Sequence, residues 1–99
     1  ANIPYAIPSV RVGCMLKNTH VPVMFWRSVG SSQNAFFVES YIDELAQAAG
    51  QDPYKFRRTL LAGKSDFLGV LDIIAEKSDW GKPLGQGRGR GVPARRGRA

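Results

Sequence analysis

Cysteine and histidine are almost missing from this 99-residue chain: Cys14 and His20 are the only ones. A lone cysteine excludes an internal disulfide. One Cys and one His also fall short of the ligand set of a zinc site. As a nucleophile–base pair they would need a third, orienting group. They lie six residues apart across an expected strand and turn, where a buried strand cysteine and a surface histidine are the ordinary reading. No run approaches the roughly 20 apolar residues of a membrane span, and the first residues do not form the charged-then-apolar pattern of a secretory leader. The repeated glycines of a dinucleotide fingerprint and the Gly-Lys-Ser/Thr of a phosphate loop are lacking as well. Acidic residues are absent from 80–99, which holds Lys82, Arg88, Arg90, Arg95, Arg96 and Arg98, whereas 1–79 balances eight Lys/Arg against eight Asp/Glu. The net charge of +6 therefore belongs to the tail, and the neutral body offers no basic face for nucleic acid.

What is present centres on Phe25-Trp26-Arg27-Ser28-Val29-Gly30-Ser31-Ser32-Gln33. Val21, Val23 and Phe25 read as a buried strand, since the run is short, apolar and partly β-branched. Val10 to Leu16 reads as an earlier strand, with Lys17-Asn18-Thr19-His20 as the polar turn between them. Pro22 assigns the second strand to an edge or to irregular pairing. Ser28, Gly30, Ser31 and Ser32 let the backbone bend and approach a neighbour closely. A helix follows, and its first turn leaves N–H groups without intrahelical acceptors. Arg27 beside that turn suits a phosphate or another anion. Serines before a helix also serve simply as N-caps, and an internal carboxylate is the ordinary partner for Arg27. Met24, Phe25 and Trp26 can stack on a planar ligand or a base, although such a run is more often core.

The main helix is expected from about Gln33 to Ala49. Ala35, Val38, Ile42, Leu45 and Ala49 form one stripe, widened by Phe37, Tyr41 and Ala48. Glu39, Asp43 and Gln47 fall on a polar stripe, and Glu39, Asp43 and Glu44 read as a solvated face rather than as acid–base machinery. Gly50 is placed to end the helix. Asp52-Pro53 starts a second helix as N-cap and first residue. That helix runs to about Ala62, with Phe56 and Leu60 inward and Arg57 and Arg58 outward. Ser65 or Asp66 caps a third, through about Lys77, with Phe67, Val70, Leu71 and Ile74 as its apolar face. From Gly85 the composition shifts to Gly, Arg, Pro and Ala, which predicts disorder. GC-rich codons encode all four residues, so a frame shift would produce such an ending. The expected fold is α+β: a short N-terminal hairpin or strand pair in 1–84, three helices, and a disordered basic tail over 85–99.

Positions 25–46, Phe-Trp-Arg-Ser-Val-Gly-Ser-Ser-Gln-Asn-Ala-Phe-Phe-Val-Glu-Ser-Tyr-Ile-Asp-Glu-Leu-Ala, resemble the large molybdenum-binding subunit of the xanthine dehydrogenase and aldehyde oxidase family, most of all its isoquinoline 1-oxidoreductase type. The likeness extends to Asn2-Ile-Pro-Tyr5, Val21-Pro22, Ala48 to Tyr54, Phe56-Arg-Arg58, Leu60-Leu61, Ala75 to Ser78, Trp80 to Pro83 and Gly87 to Gly91. The resemblance implies an internal or C-terminally truncated fragment, with 1–84 a piece of a molybdopterin-binding domain. In the parent it implies a molybdopterin cofactor, in bacteria often the cytosine dinucleotide, that hydroxylates aldehydes or N-heterocycles with oxygen from water. It also implies a partner subunit carrying [2Fe–2S] clusters. By the same resemblance, Phe25, Trp26, Arg27, Ser28, Gly30 and Gln33 approach the cofactor. Val29 stands where some members carry a substrate-stacking ring, and a valine supplies none. The catalytic glutamate and the other cofactor-holding segments lie elsewhere in such parents, so the 99 residues alone are expected neither to bind the cofactor usefully nor to catalyse. The competing reading is a stand-alone module whose Arg/Gly tail binds RNA or another polyanion with steep salt dependence, or which docks a protein partner through exposed apolar surface.

Overall fold

The computed structural model describes residues 3–94, and within them three helices form: α1 (Gly30–Ala48), α2 (Pro53–Leu60) and α3 (Ser65–Lys77). No strand occurs among the described residues, so the chain is helical and the expected α+β hairpin does not form. The reason lies in pairing. Two short strands hold together in water only when further strands or a helix cover one face. Here nothing does: Leu16 is 94 % exposed and Phe25 101 %. From Pro8 to Phe25 no main-chain N–H reaches another main-chain carbonyl of the described residues. Apolar alternation marks a stretch that buries one face against something, but it does not say that the covering surface is in the same chain.

The helices begin and end where local chemistry directs. At α1 the C-terminus is a Schellman closure: Gly50 takes φ 63°, its N–H donates to Gln47 O at 3.0 Å, and the Gln51 N–H donates to Ala46 O at 2.9 Å. Glycine is suited to that left-handed position because it has no Cβ to clash. α2 starts as expected, with Pro53 in its first turn and the Asp52 side chain accepting from the Lys55 N–H at 3.0 Å. Neither Ser65 nor Asp66 caps α3; Lys64 occupies the cap position with no side-chain bond. α3 ends like α1 but with Asp79 at φ 53°, the Asp79 N–H donating to Glu76 O and the Trp80 N–H to Ala75 O. Aspartate is among the few side chains that visit this region.

Tyr5, Ile42, Ala46, Leu61, Leu71, Val92 and Ala94 are buried. Val38, Leu45, Phe56, Leu60, Phe67, Ile74 and Trp80 pack around this core. The sequence stripe on α1 is too wide: Phe37 and Tyr41 face solvent, as does Phe36, and on α3 Val70 does too. Two flanking segments complete the core. Ile3 to Ile7 lies against α2, with the Ala6 N–H donating to Leu60 O at 2.8 Å and the Lys64 ammonium donating to Pro4 O. After α3 the described residues carry no helix, yet the chain returns to place Val92 and Ala94 in the core. Two apolar residues in an Arg/Gly stretch look insufficient to fold it, but here they cap a core that other elements have built.

Candidate functional site

The turn Arg27–Val29 joins the uncovered apolar run to the N-terminus of α1. The Val29 N–H donates to Trp26 O at 3.2 Å, the Ser31 N–H to Ser28 O at 2.7 Å, and the Ser32 N–H to Val29 O at 3.2 Å. The Ser32 hydroxyl donates back to Arg27 O at 3.2 Å. Ser28 and Val29 both take positive φ, 67° and 41°, with Val29 at ψ −126°. For a β-branched residue that conformation is strained. Gly30 opens the helix, and a Cβ there would meet the Asn34 side-chain nitrogen at 3.2 Å.

The sequence-identified residues thus fall on one continuous bend. Phe25, Trp26, Arg27, Ser28, Val29 and Gln33 are exposed, and Gly30 is half-buried at the helix start. The Arg27 guanidinium makes no hydrogen bond or ion pair with the described residues, and Ser28 and Gly30 send their N–H groups to no main-chain acceptor among them. A guanidinium beside unpaired N–H groups at a helix N-terminus fits an anionic or polar cofactor edge. Cys14 is free and exposed, as is His20, and no cluster of metal-ligating side chains occurs among the described residues. Among the described residues no helix is long and apolar enough to cross a membrane. In the basic stretch Arg88 is exposed and the Arg90 guanidinium donates to Lys82 O at 2.7 Å, while Arg95, Arg96 and Arg98 lie outside the described residues.

A second constellation sits behind the turn. Arg57 points inward and is 0 % exposed. Its Nε donates to the Tyr5 hydroxyl at 3.1 Å and to Glu39 Oε2 at 3.2 Å. Nη1 donates to Asp43 Oδ1 and to Pro53 O, and Nη2 to Glu39 O at 3.0 Å and Glu39 Oε2 at 3.2 Å. Each of its three nitrogens therefore has acceptors, which lets a buried guanidinium persist. Glu39 Oε2 also accepts from the Tyr5 hydroxyl at 2.7 Å and the Ala94 N–H at 3.3 Å. Burial pushes the Tyr5 phenol well above its ordinary value, and the hydrogen bond and charge of Glu39 add to this while Arg57 opposes it. Burial alone would lower the Arg57 guanidinium, but its hydrogen bond to Asp43 and the charges of Tyr5 and Asp43 outweigh that and leave it raised.

This arrangement corrects the sequence reading, which puts Arg57 outward and Glu39 in solvent; the Asp43 side chain stays about half exposed, as expected of a solvated face, while one of its oxygens holds Arg57. A charge within a polar-looking helix is normally exposed, and that rule fails here because Arg57 has carboxylates within reach. The signal was available: Glu39 and Asp43 are like charges four apart on one helix, a destabilising pair unless a cation lies between them. Arg58 is exposed as expected, paired with Asp72 at 2.6 Å and lying 5.9 Å from the Tyr54 ring centroid.

Residues 1–61 match the model of the molybdopterin cofactor-binding domain. The chain belongs to the molybdopterin cofactor-binding domain family. It is 31 % identical over 78 residues to the beta chain of isoquinoline 1-oxidoreductase from Brevundimonas diminuta, covering 79 % of this chain and 10 % of that protein. It is 35 % identical over 77 residues to one of the subunits of nicotinate dehydrogenase from Pseudomonas putida, covering 78 % of this chain and 6 % of that one. The chain thus spans a tenth or less of the curated relatives it matches. No solved structure matches it. The molybdopterin-domain match takes in the Arg27–Gln33 bend, α1 and α2 through Leu61.

Proposed function

We propose that these residues supply one wall of the cofactor site in the molybdenum-binding subunit of a molybdenum hydroxylase, and that the chain by itself is inactive. The observation that carries this reading is the bend at Arg27–Gly30: a free guanidinium and unpaired N–H groups, held in strained backbone and flanked by an uncovered Phe25-Trp26, inside the stretch that matches the molybdopterin domain. Strain of this kind persists only where its surroundings fix it, and it clusters at ligand sites. Arg27 and the N–H groups of Ser28 and Gly30 would hold the anionic or polar edge of molybdopterin, in its cytosine dinucleotide form. Phe25 and Trp26 would cover it, and Gln33 would reach it from the first turns of α1.

When bound, the cofactor supplies oxidative hydroxylation of an aldehyde or an N-heterocycle with oxygen taken from water. This chain's residues bind and orient it and exclude water. Val29, exposed at the bend, would face the substrate, and with no aromatic ring there a heterocycle would be held by shape rather than by stacking. The names of the two relatives, an isoquinoline and a nicotinate enzyme, support an N-heterocycle. A [2Fe–2S] partner subunit would take up the electrons of that oxidation. A single wall does not preorganise a site, so the 99-residue chain should show no saturable change in Trp26 fluorescence when titrated with molybdopterin. With this segment in a full-length subunit, Arg27→Ala should lower the molybdenum content per polypeptide at least about tenfold. Equal molybdenum in the two proteins would refute the assignment of Arg27, and saturable binding by the isolated chain, abolished by Arg27→Ala, would refute the claim that one wall is too little to hold the cofactor.

A further inference from the structure

Helix α1 has two unlike halves. Its buried residues are Ile42 and Ala46, whereas none of Gly30–Phe37 is buried. The first turns of α1, with the Arg27–Val29 bend on their end, therefore overhang the core. At the junction stands Glu39, where Arg57 makes an unusual contact. Besides the Glu39 carboxylate, Nη2 holds the Glu39 main-chain carbonyl at 3.0 Å, and Nη1 holds Asp43 one turn further on. A side-chain ion pair can follow a rotating helix by changing rotamer. A bond to the helix backbone cannot, so the planar fork fixes α1 in both rotation and tilt.

We infer that Arg57 is a positioning residue for the Arg27–Gly30 bend, setting through α1 where that bend stands relative to the rest of the domain. Glu39 lies nine positions after Gly30, an arm of roughly 13 Å at the rise of an α-helix. A tilt of about 10° at Glu39 moves the bend by roughly 2 Å over an arm of that length, and errors of that size are enough to disable a preorganised site. Tyr5 and Ala94, bonded to the same Glu39 oxygen, tie both flanks of the chain to this point. The cofactor reading enters only in what the bend is aimed at; the pin itself is a property of this chain.

The test therefore uses the full 99-residue chain without cofactor. Residual dipolar couplings give the orientation of α1 relative to α2, and amide hydrogen exchange gives local protection. In Arg57→Met the couplings of α1 should no longer fit the parent orientation. Protection at Asn34–Val38 and at Ala94 should fall at least about tenfold more than at Leu71 and Ile74 of α3. Arg57→Lys keeps the charge but lacks the planar fork that holds the Glu39 carboxylate, the Glu39 main-chain carbonyl and Asp43 in one fixed geometry. It should recover most of the thermal stability that Arg57→Met loses, and should not recover the α1 orientation. Arg58→Met, at the exposed pair, should leave the α1 orientation unchanged and alter thermal stability only slightly. Loss of protection spread evenly over α1, α2 and α3 would mean that Arg57 only stabilises. Parent-like couplings in Arg57→Lys would overturn the positioning role, and this arm decides the matter even if Arg57→Met fails to fold. Loss of the Arg27 effect on molybdenum content would refute the cofactor reading and leave these outcomes unaffected.

Discussion

Tyr5→Phe isolates one oxygen at the centre of the buried network. The ring stays in the core, where Tyr5 is 5 % exposed, and only the hydroxyl is removed. That hydroxyl donates to Glu39 Oε2 at 2.7 Å and accepts from Arg57 Nε at 3.1 Å. Hydrogen bonds to charged groups contribute about 1.5–3 kcal/mol each. The two do not simply add here, because neither partner is orphaned. Arg57 Nε keeps Glu39 Oε2 at 3.2 Å, and that oxygen keeps Arg57 Nη2 and the Ala94 N–H. The expected loss is therefore about one such bond, ~2 kcal/mol. In a chain of this size that corresponds to a drop in Tm of roughly 8–16 °C. Thermal unfolding followed by far-UV circular dichroism at neutral pH measures it. Buried groups are poorly screened, so the loss should be the same at low salt and near 1 M salt. A drop below about 2 °C, given the usual sensitivity of small domains, would mean that the hydroxyl does no more in the folded chain than it does in water. A drop that vanishes in high salt would mean that the network is wet.

The same phenol makes stability depend on alkaline pH. Its pKa is raised in the folded chain, so its contribution is complete below the ordinary tyrosine value of about 10 and is lost as pH rises above it. The parent should lose about 1.4 kcal/mol per pH unit more than Tyr5→Phe over that range, and parallel curves would contradict this. Asp52→Ala removes the cap on the Lys55 N–H and the acceptor of the Trp80 indole N–H at 2.9 Å. It should cost about 2–3 kcal/mol in urea unfolding, against well under half of that for Asp52→Asn. Val29→Gly relieves the strained backbone of the bend and should raise stability by about 1 kcal/mol; a destabilised Val29→Gly would show that the turn is not strained. Arg58→Met breaks an exposed pair and should give only a small change in Tm that disappears in high salt.

Features that depend on near neighbours were legible in the chain before it folded. Asp52 and Pro53 start α2, Gly50 closes α1, and Ser28 to Ser32 mark the bend before α1, because caps and turns are settled within a few residues. The family was legible too, since the residues from Phe25 to Ala46 are recognisable whatever they pack against. Folding decided everything that requires a distant partner. Val10–Leu16 and Val21–Trp26 have the composition of strands and form none, because a strand needs a neighbour to take its hydrogen bonds, and no other segment of the described chain takes that place. Phe37 and Tyr41 belong to the apolar pattern of α1 and remain uncovered for the same reason. Arg57 reverses the usual rule. A charge reads as surface until the fold brings Tyr5, Glu39 and Asp43 around it, from 52, 18 and 14 residues away. Spacing along one helix reports which residues share a face, and only the packing of the three helices decides which face is covered.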